Sequence, residues 1–488
     1  MTMGNDRRLR PLLALAAGTL AGLSLPPLGW PWLLWPCLGL LWGVVGSPQG
    51  VACGALWGLG AVLISHRWLP SLHPLDWVGV PLPLSLPLCL LLWFLCAGLG
   101  GALVAAWAAL VRRLDPWRPS TALLAAGLWG GSEVLLAKGP LFWIGLGASP
   151  LPGDPWLAGL AALVGAGGVA AVQVLLGWGL WRVARSWHWR RGLALLTALV
   201  LVHGAGGAAR KSLAAQIPAE GPTPLAPEKV LVVQPAIPTR EKFLPVQQER
   251  LLGQLATAMV EARPSGATVV LPEGALALGQ PLPAPAPVEV LSGGFRRNGG
   301  RVHSAVLRFA PPAIRPDSWV DKHRVVPLGE WVPLAPLFHW SGLSSVGGIE
   351  GGSASRLLPR PEGAIGVAIC YEIADGQALA EASRGGARWL LTTANLDPYP
   401  LALQRQFQAL AQLRALESGR WLVSAANTGP SLLVDPSGRV AAALPPGRQD
   451  TGLFTVPASR RQTPYLLGGE APLLGLIAAG GALRAAKR

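Results

Sequence analysis

Long apolar runs separated by short charged gaps fill the N-terminal part of the chain. Residues 11–207 consist mainly of Leu, Ala, Gly and Trp, whereas residues 228–456 alternate apolar and polar stretches. A helix that crosses a bilayer needs about 20 mainly apolar residues. On this criterion seven membrane spans are predicted, at 11–28, 31–46, 51–68, 82–111, 120–137, 156–181 and 192–208.

The basic residues between these spans predict their orientation. With seven spans and a cytoplasmic start, the inner segments hold thirteen Arg and Lys residues, and the outer loops hold Arg67 and Lys138. Basic residues gather on the cytoplasmic side of membrane proteins, so the pattern places the globular part on the outer face. The N-terminus also has the basic and apolar regions of a signal peptide, but no cleavage site followed by polar sequence appears.

The domain organisation follows from these shifts in composition. Residues 1–208 are predicted to form a transmembrane helical domain, and the Pro/Ala-rich residues 218–227 a linker. Residues 228–456 have the size of a globular domain. A further span is predicted at 465–483, although Glu470 interrupts it and a surface helix remains the alternative.

The globular part alternates strand and helix patterns. Short buried-strand patterns are predicted at 229–234, 268–271, 302–309, 318–321, 364–369, 389–393, 421–425 and 431–434. Helices are predicted at 247–263 and 401–418, and another helix is expected after residue 370. This alternation is typical of a layered α/β domain.

Composition excludes two classes of protein. The chain is 51% hydrophobic and only 13% charged, which excludes a wholly soluble protein and a disordered one. Its net charge of +15 is compatible with a nucleic-acid partner. Because the basic residues concentrate at the ends of the predicted spans, the charge instead indicates membrane topology, and no nucleic-acid partner is expected.

Cys370 is the candidate nucleophile. The other four cysteines, Cys37, Cys53, Cys89 and Cys96, lie in predicted spans. Cys370 stands alone in a domain assigned to an oxidising compartment, where a structural cysteine would normally be paired. It follows a buried strand and precedes a predicted helix, whose positive end would favour the thiolate. By position alone, an inert buried thiol is an equally good interpretation.

Two further strand ends carry charged residues that a thiol nucleophile could use. Glu273 follows one predicted strand in LPEG, and Lys322 follows another in WVDKHRVVPLGE. The carboxyl ends of strands in an α/β sheet converge on one crevice. A carboxylate base and a fixed cation beside a thiol would suit acyl transfer.

Four motifs carry a specific resemblance. They are LPEGA (271–275), DKHRVVPLGEWVPL (321–334), GVAICYE (366–372) and QFQALAQLRALESGRWLVSAANTG (406–429). With the preceding spans, they resemble the apolipoprotein N-acyltransferase family, a membrane branch of the nitrilase-like carbon–nitrogen hydrolase superfamily. The resemblance implies a polytopic α-helical membrane bundle of seven N-terminal spans and a C-terminal span, which carries an extracytoplasmic nitrilase-like αββα sandwich.

The resemblance also implies a Glu-Lys-Cys triad. Cys370 would be the nucleophile, Glu273 the general base and Lys322 the group that stabilises the tetrahedral intermediate, helped by a backbone N–H after Cys370. The family's supporting residues near the site correspond to Glu330, Tyr371 and Glu372.

The implied reaction is acyl transfer in a bacterial inner membrane. Cys370 would take an acyl chain from a phospholipid as a thioester and pass it to the α-amine of a diacylglyceryl-cysteine at an apolipoprotein's N-terminus. A reaction of this kind needs no cofactor and no metal, and no metal-ligand spacing is present in the sequence.

Two residues in and beside the fifth span are further candidates. Trp143, in GPLFWIGLGASP (139–150), matches a family tryptophan near the lipid-facing side of the site, although an interfacial belt tryptophan fits equally well. Glu133 is an acid within a span, hence either functional or a hydrogen-bonding partner between helices.

The sequence departs from the family pattern at several places. Leu136 replaces an expected Arg, and His303-Ser304 replaces Asn-Ser. Residues 394–399 also differ, and the segment between Glu273 and Lys322 is short, so the lid and substrate access are expected to differ.

Two rival functions remain open at this point. A membrane-tethered nitrilase-like amidase would hydrolyse a small or lipid amide in a wet, polar pocket. A non-catalytic protein such as a transporter with an accessory domain is disfavoured, because the spans hold few charges and no paired broken helices.

Overall fold

A bundle of apolar helices forms the N-terminal part of the computed structural model, which describes residues 9–76, 80–215, 226–242, 244–327, 330, 348–397 and 399–486. The helices are α1 Leu9–Leu23, α2 Pro31–Val45, α3 Gly50–Ser65, α4 Leu82–Leu114, α5 Pro119–Ala137, α6 Pro155–Ala158, α7 Ala161–Arg185 and α8 Trp189–Ala214. Four of them, α4, α5, α7 and α8, are long and apolar enough to cross a membrane. Helices α1 and α2 have 15 residues each and are shorter than a typical span.

Each predicted span falls on a helix, but the sixth is not one continuous helix. The range 156–181 is divided between α6 and α7, and Gly165 within α7 has a φ of +69°. A Cβ on Gly165 would lie 2.4 Å from the ring of Tyr465. The kink at Gly165 thus packs against a residue 300 positions away, which the local apolar pattern does not contain.

Small residues let the helices approach closely. A Cβ on Gly18 of α1 would lie 2.0 Å from the carbonyl oxygen of Trp57 in α3. A Cβ on Gly58 of α3 would lie 2.4 Å from the carbonyl oxygen of Gly100 in α4. Backbone contact through small residues is a common way for helices to associate in lipid, where the hydrophobic effect between helices is weak.

The globular part contains two six-stranded sheets. The first has the order β12-β1-β2-β3-β4-β5 and the second β11-β10-β9-β8-β7-β6. The strands are β1 Glu228–Gln234, β2 Thr268–Leu276, β3 Val290–Asn298, β4 Arg301–Phe309, β5 Ser318–Asp321, β6 Leu357–Leu358, β7 Ile365–Ile369, β8 Leu390–Ala394, β9 Leu422–Ala426, β10 Leu432–Val434, β11 Val440–Ala443 and β12 Asp450–Val456. Strands β1 to β3 are parallel, as are β7 to β9.

The sheets pack face to face between layers of helices. Val232 and Val270 of the first sheet share a buried cluster with Val367, Leu391 and Val423 of the second. Helix α9 (Pro245–Ala262) covers the other face of the first sheet. Helices α10 (Gly376–Arg384) and α11 (Leu401–Ser418) cover the second. The result is a nitrilase-like αββα sandwich, as the resemblance implied.

Helix α11 lies between the second sheet and the helical bundle. The side chain of Gln406 donates hydrogen bonds to the carbonyls of Pro26, at 3.3 Å, and Ser65, at 3.0 Å. On the opposite side of the contact, the backbone N–H of Ala166 donates to Glu417 Oε1 at 2.8 Å. The helix is buried on nearly all sides, so the bundle and the sandwich share one core.

The C-terminal segment forms two helices rather than one. Helix α12 (Pro464–Gly468) and helix α13 (Ala471–Ala485) are separated at Gly469 and Glu470. Helix α13 packs on α5, where a Cβ on Gly127 would lie 2.8 Å from Ile477. Of the linker expected at 218–227, residues 218–225 lie outside the described residues. Helix α8 extends to Ala214, past the expected end of the helical domain at 208.

Candidate active site

A sharp turn presents Cys370. Strand β7 ends at Ile369, a short 3-10 helix runs from Cys370 to Ala374, and the α-helix α10 follows from Gly376. Cys370 has a φ of +56°, a left-handed conformation that is rare for a residue with a side chain. Such strained residues persist where the surroundings fix them, and they concentrate at functional sites.

Glu273 enters the site from the first sheet. Glu273 was predicted to follow the end of a strand. Strand β2 instead continues to Leu276, so Glu273 lies in an irregular stretch within the strand. Its Oε1 accepts a hydrogen bond from Lys322 Nζ at 2.8 Å, and its Oε2 accepts one from the backbone N–H of Asn395 at 3.1 Å. The carboxylate is therefore held by two donors.

Lys322 follows β5, as the pattern predicted, and its side chain is 1% exposed. Besides Glu273, its ammonium donates a hydrogen bond to Glu330 Oε1 at 2.7 Å. The Cys370 thiol lies close enough to Glu273 and Lys322 for both side chains to affect its pKa. The three side chains of the predicted triad thus meet at one edge of the sandwich, together with Glu330.

Burial and neighbouring charges set the protonation state of this cluster. Burial alone would lower the pKa of Lys322, but the carboxylates of Glu273 and Glu330 outweigh it and raise that pKa well above its usual value. Burial would raise the pKa of Glu273, yet the Lys322 ammonium brings it below its usual value. For Glu330 the burial effect prevails, and its pKa is raised.

The surroundings of Cys370 favour the thiol over the thiolate that a positive helix end would favour. Burial raises the pKa of the Cys370 thiol well above its usual value, and the nearby Glu273 carboxylate raises it further, against the Lys322 ammonium. The short 3-10 helix leaves no long positive helix end to offset these effects. The sulfur rests as a thiol beside a charged base, so it needs a proton acceptor in order to react.

Glu372 joins the two segments that carry the nucleophile and the lysine. It is 3% exposed, and its carboxylate accepts hydrogen bonds from the backbone N–H groups of Ile369, His323 and Arg324. Arg356 pairs with it at 3.0 Å. Glu372 thereby fixes the turn at Cys370 relative to the loop after Lys322.

Tyr371 and Arg324 close the same corner of the site. The Tyr371 hydroxyl donates to the carbonyl of Val325 at 3.1 Å. Its ring lies 5.7 Å from Lys322 Nζ and 5.4 Å from the Arg324 guanidinium. Arg324 also donates to the carbonyl of Ala137, at the end of α5. This loop is therefore attached to a helix of the bundle.

A second lysine at the site was missed in the sequence. Lys242 is 8% exposed, and its ammonium donates a hydrogen bond to the backbone carbonyl of Glu273 at 3.0 Å. Burial lowers its pKa to about 8, against the charges of Glu273, Asp397 and Cys370. Its position in the sequence could have identified it. Lys242 lies in the loop after β1, and β1 is parallel to β2, so both strands end at the same edge of the sheet.

Asn395 and Tyr399 were also missed, except as part of a departure from the family pattern. The Asn395 amide donates to Thr239 Oγ1 at 2.7 Å and accepts from Asn427 Nδ2 at 2.8 Å. Burial raises the pKa of Tyr399, and the charges of Cys370 and Glu273 raise it further. The ring of Tyr399 also contacts Trp68, at a centroid distance of 5.8 Å, so this segment joins the site to the bundle.

Trp143 lies at the junction of the bundle and the sandwich. Its ring is 5.5 Å from that of His66, and it lines two cavities, of about 110 and 50 Å³. The larger is mainly apolar, and the smaller is also lined by Asp375 and Gln377, just beyond the Cys370 turn. None of the contacts found among the described residues joins Trp143 to the triad itself.

Glu133 acts as an anchor between segments. Its Oε1 accepts hydrogen bonds from Trp129 Nε1 and from the backbone N–H of Leu146, each at 2.9 Å.

The residues that depart from the family pattern lie at different places. Leu136 lines the larger cavity, and the backbone carbonyl of Ser304 accepts a hydrogen bond from the backbone N–H of Lys322. His303 is bonded to the carbonyl of Glu350 at 2.9 Å. Across the described ranges, no cluster of three His, Cys, Asp or Glu residues could hold a metal ion.

Comparison with known proteins gives two family matches. The apolipoprotein N-acyltransferase N-terminal domain matches residues 17–179, and the carbon–nitrogen hydrolase domain matches residues 288–465. The second range includes Lys322 and Cys370 and begins after Glu273. A Saccharomyces cerevisiae member of branch 10 of the nitrilase superfamily covers 48% of this chain and 90% of its own, with 17% identity and a TM-score of 0.37.

Curated relatives match nearly the whole chain. The apolipoprotein N-acyltransferase of Prochlorococcus marinus (strain MIT 9313) is 46% identical over 490 residues, which are 97% of this chain and 96% of the relative. That of Parasynechococcus marenigrum (strain WH8102) is 46% identical over 464 residues, which are 94% and 96% of the two chains. The chain is thus a membrane acyltransferase that belongs to the apolipoprotein N-acyltransferase family.

Proposed function

We propose that this enzyme moves an acyl chain from a phospholipid to the α-amine of the N-terminal diacylglyceryl-cysteine of apolipoproteins, through a thioester on Cys370. The observation that carries the proposal is the contact of the Cys370 thiol with the Glu273–Lys322 pair, in a domain whose helix α11 is embedded against the bundle. Family membership supports the same reaction.

In the first half-reaction Glu273 takes the thiol proton while the sulfur attacks the ester carbonyl of the phospholipid. The Lys322 ammonium, with a backbone N–H after Cys370, stabilises the oxyanion of the tetrahedral intermediate. Collapse breaks the ester C–O bond and leaves the thioester. Protonated Glu273 returns its proton to the departing lysophospholipid alkoxide.

In the second half-reaction the lipoprotein amine attacks the thioester carbonyl. Glu273 accepts a proton from the attacking nitrogen, and the C–S bond breaks to give the amide. The sulfur leaves as a thiolate and recovers its proton from Glu273, which restores the starting state. Lys322 remains charged throughout, because its two carboxylate partners raise its pKa.

A lipid-facing site would favour transfer over hydrolysis. Both substrates hold their acyl chains in the bilayer, and an apolar cavity of about 110 Å³ lies beside Trp143 within the helical bundle. Exclusion of water protects a reactive thioester until the amine arrives. We therefore assign Trp143 to substrate contact and the apolar cavity to part of an acyl-chain path.

The membrane arrangement is part of the same proposal. Seven N-terminal spans and a C-terminal span at α12–α13 would place the basic span ends in the cytoplasm and the sandwich on the outer face of a bacterial inner membrane. The proposed domains are 1–208, the linker 218–227, the catalytic domain 228–456 and the C-terminal span 465–483.

The test uses purified full-length protein in vesicles. A phospholipid with a labelled acyl chain and a diacylated lipopeptide should give a triacylated lipopeptide and a labelled Cys370 thioester. Cys370→Ala should give neither. Omission of the lipopeptide should leave the thioester in place. Label that appears only as free fatty acid, in the presence of the lipopeptide, would instead indicate the nitrilase-like hydrolase.

A further inference from the structure

A groove between α7 and α8 lies far from the catalytic site. Its volume is about 400 Å³, and its lining is apolar apart from Arg182 and Arg191 at one end. Both arginines flank the short connection at 186–188 that joins the two helices. Nearer its other end, α8 reaches the sandwich, where Arg210 donates to the carbonyl of Ser437. At 1.5 Å per residue, Arg191 lies about 28 Å along the helix from Arg210.

Among the described residues, only α7 and α8 line this groove. In the most apolar window of α8 only 6% of residues are buried, and Ala194 in the groove is exposed. In a bilayer such surfaces contact lipid, so an acyl chain is the material at hand to fill an apolar groove between two spanning helices.

The groove has the depth of one leaflet. From Arg182 to Val172 along α7 is about 15 Å at the rise of an α-helix. From Arg191 to Val202 along α8 is about the same. The hydrocarbon core of a bilayer is about 30 Å thick, so an acyl chain with its head group at the arginines would end near the midplane.

The two guanidiniums are suited to an anion. Arg182 donates to the carbonyl of Trp117 at 2.5 Å and Arg191 to that of Ser186 at 2.9 Å, while Arg182 Nε has no hydrogen-bond partner. Within the described ranges neither forms an ion pair with a carboxylate, although the charge of Asp115 reaches Arg182. Arg182 and Arg191 are also close enough for their charges to repel each other.

We propose that this groove binds one anionic phospholipid, with an acyl chain between α7 and α8 and its phosphate between Arg182 and Arg191. Basic sites between membrane helices recognise anionic head groups in this way. The lipid is not the acyl donor, because the site lies at the opposite end of the bundle from Cys370. Its assignment to the cytoplasmic leaflet rests on the proposed topology, whereas the binding site does not.

Native mass spectrometry of the delipidated full-length protein tests the site. Phosphatidylglycerol should bind as one retained molecule, and phosphatidylcholine with the same chains should bind more weakly. Arg182→Gln/Arg191→Gln should weaken phosphatidylglycerol binding about thirtyfold, because each arginine near an anionic head group strengthens binding about fivefold. The matched control is Arg185→Gln/Arg190→Gln, which removes the same charge from the same two helices outside the groove.

A second variant tests the apolar part of the groove without a change of charge. Ala198→Trp should fill the groove and displace phosphatidylglycerol, and excess glycerol 3-phosphate should not displace it from the wild type. Equal losses in the two arginine pairs, or retention of the lipid by Ala198→Trp, would overturn the proposal. The readout is lipid binding, so a failure of acyl transfer in the wild type would contradict the proposed function and leave this result intact.

Discussion

At the sulfur of Cys370 the surroundings favour the neutral thiol, while at Glu273 they favour the carboxylate. The two groups affect each other, and their pKa values are displaced in opposite directions. A base that is already charged can take the proton only as the sulfur attacks, because the thiolate is costly in this buried site. The nucleophile is thereby protected from reactions in the absence of an acyl donor.

The first prediction concerns the base. Glu273→Gln preserves the shape of the side chain but removes its proton acceptor. The rate of thioester formation from a phospholipid should fall about 10²- to 10⁴-fold, the usual contribution of general base catalysis. Single-turnover measurement with labelled donor gives this rate. Glu249→Gln, on the exposed side of α9, should match the wild type. An unimpaired Glu273→Gln variant would assign the base elsewhere.

The second prediction concerns Lys242, which acts on the site through the Glu273 backbone and through its charge. Because burial lowers its pKa to about 8, it loses its charge as the pH rises through that value, and thioester formation should then slow. Lys242→Arg should remove this alkaline decline, because a guanidinium stays charged. Lys242→Met should be slow at every pH, and Lys229→Met, an exposed control on β1, should behave as the wild type.

The rate to follow is that of the first half-reaction, without lipopeptide. The acceptor amine also titrates near pH 8, at about 7.7 to 8.0 for an α-amine, and would mask the effect in the complete reaction. A wild-type rate that is unchanged through pH 8, or a decline that persists in Lys242→Arg, would show that Lys242 does not act in this way.

At the scale of elements, the site depends on the joining of two segments from different sheets. Lys322 follows β5 of the first sheet, and Cys370 follows β7 of the second. The Glu372 carboxylate bonds backbone groups of both segments, and Arg356 neutralises it. Both side chains of this ion pair are 3% exposed, so its loss leaves a buried charge without a partner.

The third prediction tests this ion pair by a double-mutant cycle. Glu372→Gln should lower the free energy of unfolding by about 3–5 kcal/mol, as removal of one partner from a buried pair does. Arg356→Met should be similar, and the double variant should be more stable than the sum of the two effects predicts. Urea unfolding of the detergent-solubilised chain measures the change.

A surface pair serves as its control. Glu350 pairs with Arg301, and their side chains are 45% and 68% exposed. Glu350→Gln should therefore cost less than about 1 kcal/mol. Additive effects of Glu372→Gln and Arg356→Met would show that the buried pair does not join the segments.

At the scale of the whole molecule, the catalytic domain and the bundle are not separate bodies joined by one linker. Gln406 of α11 donates hydrogen bonds to the carbonyls of Pro26 and Ser65. Arg324, in the loop after Lys322, donates one to the carbonyl of Ala137 at the end of α5. Movement of the bundle would therefore be transmitted to the loop that carries Lys322.

The fourth prediction concerns orientation in the membrane. In a variant with all five cysteines changed to alanine, Arg297→Cys places a thiol on an exposed strand end of the sandwich. Arg190→Cys places one at the exposed start of α8. In intact spheroplasts a membrane-impermeant maleimide should label the first and not the second, because basic span ends stay in the cytoplasm. Labelling of Arg190→Cys without permeabilisation would reverse the proposed topology.

The local features of this protein follow from its amino-acid sequence. Apolar runs of sufficient length gave the positions of the helices, and α11 has the predicted bounds, 401–418. Their places at or near predicted strand ends singled out Cys370, Glu273 and Lys322, although Glu273 lies within β2 and β5 pairs antiparallel with β4. The motifs around them were specific enough to indicate the family before any geometry was available.

Features that depend on burial and on contacts between distant residues required the folded structure. The kink at Gly165 within α7, where Tyr465 packs, involves residues far apart in the sequence. So does the place of Lys242 beneath Glu273. The raised pKa of the Cys370 thiol is a third example. A pKa depends on burial and on nearby charges, and the residues next to Cys370 in the sequence specify neither.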